Sequence, residues 1–168
     1  EDDKHNLYNR VKESLNSLKN EMIEFIPQTM PPFPWHFGGQ RYHNLFCDPD
    51  EIYKFCNENN FRICLDISHT WLYCNFKGIS FEKSLNKFKN LVKHVHVADA
   101  SGVDGEGLQI GEGEIDFSSF AKLYYNCFGE ATWIPEVWQG HNNNGEGWIM
   151  SYGFGPRFIF FGMPWKLD

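Results

Sequence analysis

The chain has 168 residues, 42% of them hydrophobic, which is enough apolar content to bury the core of one sizeable domain. It carries 22 Asp plus Glu against 15 Lys plus Arg, and the net charge of −7 argues against a protein that grips nucleic acid by its phosphates. No run of eighteen uncharged apolar residues occurs, so neither a membrane-spanning helix nor a membrane partner is expected.

No charged-then-apolar leader is visible, and the chain opens on Glu1 rather than Met, which suggests that a longer natural chain was cut or processed. Five cysteines, an odd number with no CxxC spacing, read as reduced thiols rather than a disulfide framework. A cytoplasmic location follows from them.

Residues 4–19 place Leu7, Val11, Leu15 and Leu18 at the spacing of an amphipathic helix. The apolar run MIEFI at 22–26 predicts a strand holding Glu24. Four prolines then make 27–44 a long loop, a lid or a substrate wall. Asp48 and Pro49 supply an N-cap and a first helical residue for a helix to about Asn59. The run FRICLD at 61–66 is a buried-strand pattern, 71–80 a loop or short helix, and Phe81, Leu85, Phe88 and Leu91 recur at helical spacing.

Residues 93–116 are the centre of the chemistry. They begin as the His94-Val95-His96-Val97 alternation of a strand and end in a glycine-rich loop crowded with carboxylates. Asp116 opens a helix that Gly129 closes, and 132–140 predicts a last strand holding Glu136, although Pro135 within it cannot donate to a ladder. Strands alternating with helices imply an α/β fold with a parallel sheet and helical crossovers. Each strand offers one ligand or acid/base group, as a parallel barrel requires where strands pass into their loops. Residues 148–168 are aromatic, broken by glycine and proline, and show no helical period.

The segments MIEFIP (22–27), LDISH (65–69), HVHVADASG (94–102), LQIGEGEIDF (108–117) and IPEVWQGHNNNGEG (134–147) resemble the sugar phosphate isomerase/epimerase superfamily. These are xylose-isomerase-like TIM barrels, related to endonuclease IV. The resemblance covers about 1–147 and implies a partial (β/α) barrel, roughly strands five to eight with their crossover helices, leaving 148–168 as an aromatic C-terminal tail to which it assigns no role. It implies a divalent metal, Mn, Zn, Co or Fe, on Glu24, Asp66, His96 and Glu136. Glu24 and Glu136 then move protons next to the carbonyl of a sugar or sugar phosphate, through an enediolate, while His69 orients the oxygen. The fifth-strand position has an alternative in Gln28, whose neutral amide offers an oxygen to a metal but cannot take a proton. With Gln28 there, a one-base isomerisation, a dehydration or no activity is expected instead of two-base epimerisation.

Around this set, His36, Arg41 and His43 of the long loop and His141 after the last strand are candidate substrate contacts, with Arg41 suited to a phosphate or carboxylate. His94 shares the face of His96 but lies deeper and reads as a packed core histidine. Glu112 and Glu114 read as turn residues, and Asp99, Asp104 and Glu106 as a solvated charge cluster that is an alternative second-metal or sugar site. The loop DGEG (104–107) lacks the histidine that endonuclease IV relatives use for extra zinc ions, which disfavours the abasic-site endonuclease alternative. A third reading is a non-catalytic barrel fragment that serves in assembly. Half a barrel leaves open sheet edges and an uncovered face, so a homo-oligomer or association with a missing N-terminal half is expected.

Overall fold

The computed structural model describes residues 2–19, 22–36, 38–138, 140 and 144. His141 and the aromatic segment 148–168 lie outside the described residues. Helix α1 (Asp2–Ser17) turns Tyr8, Val11 and Leu15 onto the core; Val11 and Leu15 follow the expected spacing, whereas Leu18 lies past the helix end and is exposed. The strand expected at 22–26 does not form. Met22 is 91% exposed and Ile23 and Phe25 are exposed beside it. Pairing begins further on, where the Cys64 amide donates to the Pro27 carbonyl at 2.9 Å and the Thr29 amide to the Cys64 carbonyl at 3.0 Å. Gln28 thus stands opposite Cys64 in a parallel bridge. Pro27 takes part only through its carbonyl, so its missing N–H costs nothing.

The long loop contains a small antiparallel ribbon, β1 (Trp35–His36) with β2 (Gly39–Gln40). Helix α2 (Pro49–Asn59) starts where expected, with the Asp48 carboxylate accepting from the amides of Asp50 (2.8 Å) and Glu51 (3.3 Å). Strand β3 (Ile63–Asp66) passes directly into helix α3 (Ile67–Lys77). The sequence left most of α3 as a loop or short helix. Ile67, Ser68, Thr70, Leu72, Tyr73 and Cys74 are all buried, so burial on nearly every side erases the amphipathic period that would have announced it. Helix α4 (Phe81–Lys87), capped by Ser80, leads to β4 (Val92–Val97). An antiparallel ribbon of β5 (Asp99–Ser101) and β6 (Gly105–Leu108) follows, then α5 (Phe117–Phe128) on its Asp116 cap and β7 (Thr132–Pro135).

Strands β3, β4 and β7 form a parallel sheet in the order β3-β4-β7, with the helices as crossovers. Ile63, Leu65, Val95 and Val97 lie in one apolar cluster with Leu72, Leu85, Phe88, Phe120 and Tyr124 of the helical layer. The alternate residues Cys64, Asp66, His94 and His96 therefore share the opposite face, the one that would line a barrel. Among the described residues the sheet is open and does not close. Pro135 opposes Val97, and β7 pairs on one side only among the described residues, so the proline leaves no ladder acceptor unpaired.

The glycine-rich loop hangs on one buried carboxylate. Asp99 accepts from the amides of Ala100 (2.8 Å), Gly111 (2.9 Å), Gly113 (2.9 Å) and Ile115 (3.1 Å). Gly113 is required there, since a Cβ would sit 2.4 Å from both the Ala100 carbonyl and Asp99 Oδ1. Asp99 is therefore the scaffold of the loop rather than part of a solvated cluster. Replacing Asp99 with Ala strands four donors, and the loss of folding stability in urea is expected to reach at least about 3 kcal/mol. An unchanged denaturation midpoint would contradict this role.

Candidate functional site

Parallel register builds the site. Asp66 pairs with His96 across β3 and β4, and His96 with Ile134 across β4 and β7. Glu136 lies just past Pro135, its amide bonded to the Val97 carbonyl at 3.0 Å. One donor atom from each of Asp66, His96 and Glu136 lies within 4.8 Å of the other two. The carboxylate of Glu136 contacts His96 Nδ1, and Asp66 Oδ2 lies 3.9 Å from the same nitrogen.

Asp66 has two tasks. It caps α3 by accepting from the His69 amide at 3.0 Å through Oδ1, while Oδ2 accepts from Gln28 Nε2 at 3.2 Å and faces the cluster. Thr29 fixes its backbone from the neighbouring segment, its hydroxyl accepting from the Asp66 amide at 2.9 Å. His69, three residues on, is brought back to the same point by the first turn of α3. Its Nδ1 donates to the Thr29 carbonyl at 2.9 Å and its Nε2 faces Glu106 Oε2 at 3.3 Å.

Burial alone would lower the pKa of His69, but Asp66, then Glu106 and the Thr29 carbonyl, carry it up to about 9. His96 is likewise opposed by burial and raised by Cys64 and Glu136 to about 10. Burial pushes Asp66 up to about 6 against the pull of His69, whereas the His96 contact holds Glu136 below the usual carboxylate value despite partial burial. Two carboxyl groups and an imidazole are thus held together with unequal proton affinities.

This set fits a divalent ion. Two oxygens and one nitrogen suit Mn²⁺, Fe²⁺, Co²⁺ or Zn²⁺, and a cation offsets the repulsion of two carboxylates aimed at one point. Asp66, His96 and Glu136 would hold it, with the Gln28 amide oxygen in reach of the same place by rotation of the amide.

Of the residues expected from the sequence, the structure assembles Asp66, His69, His96 and Glu136. It does not bring Glu24 to them. Glu24 is exposed and lines a cleft with Leu15, Lys19, Phe61 and Arg62, at the end of β3 away from Asp66. Glu24 and Gln28 share the parity of an extended chain, so periodicity could not separate them. Four residues of extended chain span about 13 Å. The Gln28–Cys64 bridge sets the depth, and Gln28 is the residue at the site.

His43 is half-buried near His69. Burial first and then the charge of His69 hold its pKa low, and its Nδ1 is enclosed without a hydrogen-bond partner. His36 and Arg41 lie exposed on and beside the β1–β2 ribbon, and His141 lies outside the described residues. Two further residues join the site. Glu106, read from sequence as part of a charge cluster, has a side chain only 10% exposed against His69. Thr29 carried no signal, since a lone threonine in a proline-rich loop looks like any other. Trp138 closes the rim, its amide donating to the Gly107 carbonyl at 2.8 Å. Its ring packs where a Gly107 side chain would be, 2.1 Å from an added Cβ, at a backbone φ of 69°.

Comparison with known proteins agrees with this architecture. A family model described as a xylose isomerase-like TIM barrel matches residues 1–148. An uncharacterized protein of Methanocaldococcus jannaschii is 32% identical over 119 residues, which are 68% of this chain and 41% of that protein. Among solved structures, a D-tagatose 3-epimerase-like protein superposes with a TM-score of 0.65 at 22% identity, covering 90% of this chain and 52% of the other. A D-psicose 3-epimerase determined in the presence of D-fructose gives 0.67 at 14% identity, with 94% and 58% covered. The 3-keto-D-glucoside 4-epimerase of E. coli gives 0.61 at 15%, with 88% and 52%. The chain spans about half the length of the proteins it matches.

The histidine shifts set the response of the metal-free protein to alkali. Both folded pKa values lie above the unfolded value of about 6.5, so the stability that protonated His69 and His96 contribute is complete below it. That stability is lost as pH rises through about 9 and about 10. The urea midpoint without metal is expected to fall between pH 6.5 and 10, and less so in His69→Asn. A midpoint that holds or rises over that range would contradict the pairing.

Proposed function

This chain belongs to the xylose isomerase-like TIM barrel family, and from that premise we propose that it acts on a sugar or sugar phosphate by metal-assisted proton transfer next to a carbonyl. The observation that carries this reading is the convergence of Asp66, His96 and Glu136 within 4.8 Å on one sheet face. A divalent ion held by them would supply Lewis-acid polarisation of a carbonyl and its neighbouring hydroxyl.

The protein groups divide the remaining work. Glu136 is partly exposed and its carboxyl is held ionised by His96, so it is the base that takes the proton next to the carbonyl and returns it. His69, held protonated and anchored through Nδ1 on the Thr29 carbonyl, passes its Nε2 proton contact from Glu106 to a substrate oxygen and so orients it. Asp66, buried and bonded to Gln28 and the α3 amide, keeps its orientation through the cycle. Gln28 cannot exchange a proton, and Glu24 is too far along the chain to replace it. One base on one face favours an isomerase-like shift of the carbonyl over inversion by two opposed bases.

The segment bridged at Gln28 together with β3, β4 and β7 corresponds in this reading to strands five to eight of the barrel. Ile134, on the inner face beside His96, is 43% exposed, and Trp138, Met22 and Phe25 add apolar surface. Such a face is covered by an N-terminal half or by a second copy of the chain. No helix among the described residues is long and apolar enough to cross a membrane.

Two measurements test these statements. With Mn²⁺ or Co²⁺, a panel of keto and aldo sugars is expected to yield an interconverted pair, and Glu136→Gln to lower kcat at least about 100-fold. Metal-independent turnover, or full activity in Glu136→Gln, would sink the proposal. Light scattering of the 168 residues alone is expected to give a dimer, and a folded monomer with no affinity for an N-terminal half would refute the covering partner.

A further inference from the structure

Beneath the carboxylates the inner face of the sheet carries a second and chemically different cluster. Cys64 and His94 are register partners on β3 and β4, and His96 follows His94 by two residues on the same face. Donor atoms of these three residues all lie within 4.8 Å of one another. The two imidazoles stand edge to face, their centroids 5.2 Å apart at 90°. Cys64 is 5% exposed and lies outside the apolar cluster that holds its strand neighbours Ile63 and Leu65.

We propose that Cys64, His94 and His96 form a second metal site, selective for a thiophilic ion such as Zn²⁺ or Co²⁺, one layer below the Asp66–His96–Glu136 site. One thiolate and two imidazoles are a soft donor set, unlike the two carboxylates above, so the two layers sort ions by chemistry. Bond lengths of about 2.0–2.3 Å allow three donors this close to be drawn onto one ion by small side-chain rotations.

The second shell is in place. His94 Nδ1 is bonded to the Thr132 hydroxyl at 2.7 Å, across the β4–β7 ladder, which leaves Nε2 as the coordinating atom. The Nδ1 of His96 faces Glu136 and Asp66, so its other ring nitrogen is the one available to an ion on the Cys64 side. Binding forms a metal–sulfur bond and releases the Cys64 thiol proton to solvent. Three protein ligands leave a fourth position open to water or to a small molecule. Because His96 serves both layers, an ion below weakens the hold of the upper layer on a second ion.

The site stands on its own residues and does not require the sugar reading. Its test is optical. One equivalent of Co²⁺ added to the metal-free protein is expected to produce thiolate-to-cobalt charge-transfer absorption. Cys64→Ser and His94→Asn are expected to abolish it, and Asp66→Asn to retain it. Thr132→Val is expected to weaken Co²⁺ binding about tenfold. Circular dichroism on each variant confirms that a lost band is not lost folding, and Cys64→Ala serves if Cys64→Ser unfolds. A wild-type protein without the band would overturn the site. So would a band that survives in Cys64→Ser, since it would then arise from Cys47, Cys56, Cys74 or Cys127. Loss of Mn²⁺ affinity in Asp66→Asn reports separately on the upper site, so the failure of either assignment is visible without the other.

Discussion

The parallel register of β3, β4 and β7 is the constraint on which the rest depends. It sets Asp66 level with His96 and leaves Glu136 one step beyond the last paired residue, so three side chains distant in sequence meet at one depth. A shift of one residue in any strand would turn its polar group into the helical layer and a valine or isoleucine into the site. The apolar layer therefore enforces the polar one. Ile63, Leu65, Val95 and Val97 are almost fully buried, and each contributes about 1.5–3 kcal/mol by leaving water. Their burial fixes the register, so packing decides where the charges go.

Within that frame Asp66 joins architecture to chemistry. Its carboxylate is the N-cap of α3, a partner of Gln28 and a member of the cluster at once. A buried carboxylate with so many fixed donors cannot move, which is what a metal ligand needs and a proton carrier does not. Glu136, on the exposed side and tied chiefly to His96, has the opposite balance. The division of roles proposed for the two acids follows from their surroundings, since their side-chain chemistry is nearly the same. His69 completes the pattern, its two ring nitrogens occupied by Thr29 and Glu106 so that its orientation is set before any substrate arrives.

Much of this was legible in the sequence where a local rule spoke alone. The alternation through His94 to Val97 gave β4 its face, and Asp48 with Pro49 and Asp116 marked two helix starts that the structure has. The rule failed where two roles fell on one residue. Asp66 ends a strand and caps a helix with no loop between, so the start of α3 carried no turn signal. Glu24 and Gln28 share a face of an extended chain, and only tertiary pairing with Cys64 tells which of them is level with Asp66. Asp99 and Glu106 sit in a loop whose composition reads as solvated, yet one is the buried anchor of that loop and the other packs on His69. Loop carboxylates acquire such roles from backbone amides and neighbours that are set only by the fold.

The central claim is that Asp66, His96 and Glu136 hold a single divalent ion at the rim of the sheet. Anomalous diffraction from crystals grown with Mn²⁺ tests it most directly. The account predicts one strong peak about 2.2 Å from a carboxylate oxygen of Asp66, a ring nitrogen of His96 and a carboxylate oxygen of Glu136. A map with no peak there, or with manganese bound only at other carboxylates, would contradict it.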